Sequence, residues 1–241
     1  MPEPLTSDAF LAACTVEPAV FDLRPDYRAM LLVVDGLTPG AEAASGAADA
    51  LIAAAEAHAR TALASSPVDE LPHIAAWRAA YRAFGAKPQR TRNSLEALTR
   101  RAEHGLPRVN ALTDIYNAVS VLHQVPLGGE DFHAYRGPAR LARATGEEPF
   151  DTTADGGTVI EHPEPGEVVW CDEEGVTCRR WNWRQGRRTA LTDSTTTAFF
   201  ILDALAPMSD AALDAAADEL ANALAQLGDR VSSSRRMIGA S

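Results

Sequence analysis

Asn110, Asp114 and Asn117 stand four and three residues apart within LPRVNALTDIYNAVSVLHQVPLGGED, residues 106–131, and no other pattern constrains the chain as much. On a helix, at ~100° per residue, the three side chains fall within an arc of about 60°. Leu112, Ile115, Tyr116, Val119 and Leu122 cluster on the opposite side. The spacing therefore predicts an amphipathic helix. Its polar stripe carries two amides and one carboxylate instead of the Lys, Glu and Arg of a solvated face, which marks a buried or ligand-facing stripe. The helix stops before Pro126, and Gly128-Gly129 just beyond allows a tight turn or a close backbone approach.

The 241 residues, 46% of them apolar, suffice for a full core. Three cysteines, Cys14, Cys171 and Cys178, match no zinc spacing and no even-numbered disulfide framework. Six histidines lack the i, i+4 pairing of a helical metal site, so neither a metal nor another cofactor is expected. The start MPEPLTSDAF has neither a basic cluster nor an apolar run, and the chain has no stretch of ~18 apolar residues. Reduced thiols, a cytoplasmic location and no membrane association are the expectation.

A net charge of −11 argues against indiscriminate nucleic-acid binding. The charge is unevenly spread. Residues 1–70 hold eleven acids and three bases, and residues 151–175 hold eight acids and no Lys or Arg. Residues 78–108 hold Arg78, Arg82, Lys87, Arg90, Arg92, Arg100, Arg101 and Arg108 against Glu96 and Glu103, and a second basic run spans Arg179 to Arg188. Two readings follow: a local surface for a polyanion, or salt bridges to the acidic segments.

Along the chain, Arg28 to Val34 reads as a strand. A turn and an alanine-rich helix from about 47 to 63 follow it, then helices over 72–84 and 94–104. From Glu130 to Leu202 short extended runs dominate. VVWCDEEGVTCRRW reads as a hairpin pairing Cys171 with Val176 and Val169 with Cys178. Strand alternation in Arg179 to Arg184 puts Trp181 and Trp183 on one face and Arg180, Asn182 and Arg184 on the other. Exposed tryptophans there would stack bases, whereas buried ones would leave an arginine face to solvent. Ser209 caps a last helix with a Leu213, Ala217, Leu220, Leu224, Leu227 stripe, and the final dozen residues are expected to fray.

The nucleophile-elbow, phosphate-loop and H-E-x-x-H patterns are absent. Cys178, followed by two arginines, stays open as an activated thiol or as a buried structural cysteine. The stripe residues together with Gly128 to Asp131 could form a polar pocket able to orient a substrate and a water. For Asn110 and Asp114 the alternative is structural, as a helix N-cap and a loop tie.

These residues resemble the B-three/B-four editing domain of the bacterial phenylalanyl-tRNA synthetase beta subunit and its free-standing relatives. The synthetase pattern I-N-x-x-V-D-x-x-N, then P-L-H-A-F-D nine residues on, is matched by Val109 to Asn117 and by Pro126-Leu127-Gly128-Gly129-Glu130-Asp131 at the same spacing. L-V-I-A-D followed by Gly resembles Val168 to Asp172 and Gly175. The free-standing members are similar at YRAFG (81–85), Ser94 to Leu98, LPRVN and RRWNWR. The likeness covers residues 15–205. The chain departs from the synthetase at Gly128 (histidine there), at Glu130 (phenylalanine) and at Trp181-Asn182-Trp183 (a glycine-rich stretch), so the accepted amino acid does not carry over.

The resemblance implies an α+β fold of mixed sheets with flanking helices around a central pocket. One domain over 1–205 would be followed by a helix and tail over 206–241. It implies a tRNA-binding, editing-type protein, not a complete synthetase, that hydrolyses a mischarged aminoacyl-tRNA in trans. Asn110, Asp114 and Asn117 would serve catalysis, and Gly128, Gly129, Glu130, Asp131 and Asn182 would hold the substrate. Arg90, Arg92, Arg100, Arg101, Arg108, Arg180 and Arg184 would meet the tRNA. A non-catalytic tRNA-binding module and a small-molecule binder of the same pocket are the alternatives.

Overall fold

In the computed structural model, residues 6–40, 43–154 and 156–240 are described; the start of the N-terminal segment read above and Asp155 of the acidic run lie outside them. In chain order the elements are α1 (Ser7–Ala13), β1 (Thr15–Val16), α2 (Pro18–Leu23), β2 (Arg28–Asp35), α3 (Ala43–Ser65), α4 (Pro72–Ala83), α5 (Ser94–Arg101) and α6 (Ala111–His123). There follow β3 (Leu127–Asp131), β4 (Arg140–Arg143), β5 (Phe150–Ala154), β6 (Gly157–Glu161), β7 (Val168–Cys171), β8 (Val176–Arg179), β9 (Arg184–Gln185), β10 (Thr197–Ala204), α7 (Asp210–Leu224) and β11 (Ser232–Gly239). The fold is α+β.

A four-stranded antiparallel sheet, in the order β11-β2-β10-β3, organises the molecule. Its central strands are covered on both faces, which is why RAMLLVVD and TAFFILDA read as near-continuous apolar runs. Met30, Leu32, Val34, Phe200 and Leu202 face α6 and α7. Ala29, Leu31, Val33, Phe199 and Ile201 face α1, α4 and the second sheet. Each of these large side chains contributes about 1.5–3 kcal/mol by leaving water. Alanines and other small residues let α3 lie close on α6, with Ile52, Ala55 and Ala59 meeting Ala118 and Val121.

The second sheet runs β1-β4-β7-β8-β9, and β5 and β6 form a separate hairpin. The hairpin of β7 and β8 pairs Cys171 with Val176 as the sequence implies, but an irregularity at Trp170/Cys171 shifts the register. Cys178 therefore faces Trp170, not Val169, which pairs with Ala142. The three cysteines are free and buried.

Other expectations are corrected as well. Residues 179–184 are not one strand: β8 ends at Arg179, and Arg180 and Trp181 take left-handed backbone angles (φ 48° and 68°) before β9 begins. Core packing drives this, since the Trp181 ring sits against Tyr27 (5.0 Å) and Trp77 (5.2 Å) and is fully buried. Gly128 and Gly129 do not turn the chain but lie in β3, opposite Ile201 and Phe200. A Cβ on Gly129 would come within 2.6 Å of the Phe200 ring and 2.9 Å of Leu191, so the close approach holds where the turn does not.

The segment expected to fray is, over residues 232–239, β11, paired with β2 along its length. Arg236 donates to the carbonyls of Leu11 (2.6 Å), Ala12 (2.8 Å) and Cys14 (3.0 Å) at the end of α1, tying this edge strand down. α7 and the 3-10 turn after it, which holds Leu227, keep the anticipated leucine stripe, all of it buried, and Ser209 Oγ caps α7 at the Ala212 N–H.

Candidate functional site

α6, β3, the 180–183 turn and β10 line a partly open cavity of about 250 Å³. Tyr116 and Asn117 enter it from α6, Gly128 and Glu130 from β3, Asn182 and Trp183 from the turn, and Asp203 from β10. Ser94, Ala97 and Leu98 of α5 close another side. The local sequence explains the aim of these groups. The left-handed pair Arg180-Trp181 sends Trp181 into the core and brings Asn182, 7% exposed, to the cavity.

Asn182 is held at both ends: Tyr81 Oη donates to its Oδ1 at 2.9 Å, and its Nδ2 donates to Asp203 Oδ2 at 3.2 Å. Tyr27 Oη donates to the other oxygen of Asp203 at 2.5 Å. Burial pushes the Asp203 carboxyl up to about 7, against the lowering effect of these donors. Glu130 accepts from the hydroxyls of Tyr135 and Thr189 (2.7 Å to the latter) and is likewise raised by burial. Cys178 lines the same cavity, and burial, with Glu130 and Asp203 nearby, raises its thiol well above the ordinary range. That environment favours the neutral thiol and removes Cys178 as an activated nucleophile.

The three stripe residues separate by role. Asn110 caps α6, its Oδ1 accepting from the Thr113 N–H at 2.9 Å while its Nδ2 donates to Leu191 O at 3.3 Å. Asp114 accepts from the Val109 N–H at 2.8 Å and lies 3.8 Å from Arg108, which fits the loop-tie reading. Asn117 lines the cavity, whereas Asn110, Asp114, Gly129 and Asp131 do not. Asp131 accepts from the His133 N–H (2.9 Å) and the Thr195 hydroxyl (2.7 Å), holding the end of β3.

Two polar cavity residues escaped the sequence reading. Asp203 carried a signal, an acid inside the apolar run FFILDAL. Gln185 carried none; its Nε2 donates to Gly129 O at 2.9 Å and stands 2.9 Å from where a Gly128 Cβ would be.

The arginines divide too. The second basic run pairs with the acidic segment: Arg179 and Arg180 with Glu167 (2.9 and 3.4 Å), Arg184 with Glu161 (3.8 Å), Arg187 with Asp151 (3.1 Å) and Arg188 with Asp172 (2.7 Å). Arg180 also stacks over Trp183 at 4.4 Å. Arg92 and Arg100 flank the buried Glu96 at 3.8 and 3.0 Å, and Arg108 pairs with Asp49 at 2.6 Å. Arg90 and Arg101 are exposed. Among the described residues no group of three or more His, Cys, Asp or Glu could hold a metal, and no helix is long and apolar enough to cross a membrane.

The B3/4 domain family matches residues 76–228, from within α4 to just past α7. That span exceeds half of the chain, and the protein belongs to this family. A comparison with curated proteins finds no match. Among solved structures, an N-terminal fragment of the phenylalanyl-tRNA synthetase beta-subunit from Pyrococcus horikoshii is similar at 11% identity and a TM-score of 0.49. The alignment covers 92% of this chain and 53% of that one, so the chain spans about half of its length.

Proposed function

We propose that this protein binds the charged end of a tRNA and hydrolyses the ester of a mischarged aminoacyl-tRNA in trans, in the cytoplasm. The observation that carries the reading is the convergence of Asn117, Asn182, Glu130 and Asp203 on one cavity of about 250 Å³ in a chain of the B3/4 family. An apolar cavity of roughly 150 Å³ holds a benzene ring, so this one has room for an aminoacyl side chain and a water.

An aminoacyl ester is already activated, and its hydrolysis needs mainly an oriented water and a stabilised oxyanion. Asn117 and Asn182 supply amide groups for both, and the Tyr81 and Asp203 bonds fix the second of them. Asp203 accepts the substrate α-ammonium. Water adds to the ester carbon, the 3′-oxygen leaves, and the proton released by the water ends on that oxygen. Arg92, Arg100, Arg180 and Arg184, next to the cavity-lining segments, together with the exposed Arg90 and Arg101, receive the tRNA backbone; Arg108 lies farther off beside Asp49.

The test is incubation with a panel of mischarged tRNAs. At least one loses its ester above the buffer rate; loss from none, with tRNA bound in a salt-sensitive way, makes the protein a binding module instead.

A further inference from the structure

The buried acids of this chain fall into two groups. Glu96 holds Arg78 at 2.8 Å and Arg100 at 3.0 Å, Glu167 holds Arg179 at 2.9 Å, Asp172 holds Arg188 at 2.7 Å, and Asp114 lies 3.8 Å from Arg108. Glu130 and Asp203, 2% and 3% exposed, are hydrogen-bonded to hydroxyls and an amide and have no Lys or Arg in ion-pair range among the described residues. Both line the same cavity. Arg184, the cation on its wall, is turned outward: it donates to the Thr153 carbonyl at 3.1 Å and lies 3.8 Å from Glu161. A buried carboxylate without a cation is costly to retain, and here both exceptions line the one cavity.

Four aromatic side chains, Tyr116, Trp170, Trp181 and Trp183, share that lining. Acids combined with aromatic walls are the composition that recognises organic cations. The rest of the lining includes Leu98, Leu127 and Ile201, against which the methylenes of a long basic side chain pack while its charged end reaches an acid.

We propose that the missing cations arrive with the ligand, and that the cavity accepts aminoacyl groups with a positively charged side chain. The α-ammonium meets Asp203 and the side-chain cation meets Glu130. This rests on the reading of the cavity as the acyl site and names the acyl groups that site takes.

Amino-acid amides, which keep the α-ammonium and lack the carboxylate as an ester does, test this without tRNA. In calorimetric titrations of the whole protein, L-argininamide and L-lysinamide bind at least about tenfold tighter than L-norleucinamide and L-phenylalaninamide, the scale of one charge-assisted hydrogen bond. Glu130→Gln abolishes that preference, weakening L-argininamide and L-lysinamide at least about tenfold more than norleucinamide; Asp203→Asn weakens all four. Equal affinities across the amides, or no binding of any, overturn the proposal on the wild-type protein alone, whatever the variants do. The outcomes separate from those for editing. Preferred hydrolysis of phenylalanyl or tyrosyl esters, with no preference among the amides, sinks the basic substrate class and spares editing. Tight binding of basic amides with no ester cleaved in the panel sinks editing and spares the cation site.

Discussion

Asn182 Nδ2 donates to Asp203 Oδ2 at 3.2 Å, joining the left-handed 180–183 turn to the last residues of β10 at the cavity. This bond couples a strained turn to a carboxyl that burial holds near neutrality, and both ends line the space in which the ester would sit.

The protonation of Asp203 has a measurable effect on stability. Its carboxyl titrates at about 7 in the fold against 3.8 for the ordinary group, so between those values the folded chain holds a proton the unfolded chain has lost. This contribution to stability is fully present below about pH 4 and is lost as pH rises through about 7. Asp203→Asn removes it. The melting temperature of the variant, relative to wild type, rises between pH 5 and pH 8; a difference that stays constant over that range would contradict the assignment.

Asn110→Ala and Asn117→Ala separate structure from chemistry on one helix. The first removes the cap at the Thr113 N–H and costs about 1 kcal/mol in chemical unfolding. Asn117→Ala lowers kcat/KM for ester hydrolysis about 10²-fold, the scale of losing one preorganised donor, with little change in stability. Activity loss confined to the Asn110 variant would reverse the roles.

The adjacent glycines differ in what crowds them. Gly129→Ala drives a Cβ into the Phe200 ring and Leu191 and destabilises by about 1–3 kcal/mol. Gly128→Ala meets only the end of the Gln185 side chain, so the fold persists while ligand affinity changes. Equal melting temperatures for the two variants would show that β10 yields more than its packing implies.

Arg90 and Arg101, which pair with no acid among the described residues, carry part of the tRNA contact. Arg90→Glu with Arg101→Glu weakens tRNA binding and lowers the slope of log affinity against log salt by about 0.7–0.9 per lost phosphate contact. Arg187→Glu, which breaks a pair with Asp151, leaves that slope unchanged. Electrophoretic or fluorescence titrations at several salt concentrations read both.

The elements that were legible in the sequence are those whose burial follows one period. α6 shows its apolar side and its Asn110 cap, β2 and β10 show the unbroken apolar runs of strands covered twice, and α7 shows a leucine stripe. β11 was not legible: SSSRRMIG is an edge strand with only alternate, half-buried positions, and its order comes from pairing with β2 and from Arg236. The alternation of RRWNWR imitates a strand, and only the three-dimensional cluster of Tyr27, Trp77 and Trp181 bends it into a turn.

For the site, the stripe pointed to α6 and to Asn117, which lines the cavity, because helical spacing is local. It could not tell a cap from a cavity residue. Asp203 lies 86 positions beyond Asn117, and nothing in the local pattern links the two. The pairing of the second basic run with residues 151–174 is also a long-range property, for which the charge counts left two readings open.

Single-turnover hydrolysis of the best-cleaved aminoacyl-tRNA, compared between wild type, Asn117→Ala and Asp203→Asn, tests the central claim most directly. The account predicts ester loss well above the buffer rate for wild type and a rate at least about tenfold lower for each variant, a cost of about 1.4 kcal/mol or more in the transition state. Hydrolysis at the same rate by all three proteins would contradict it.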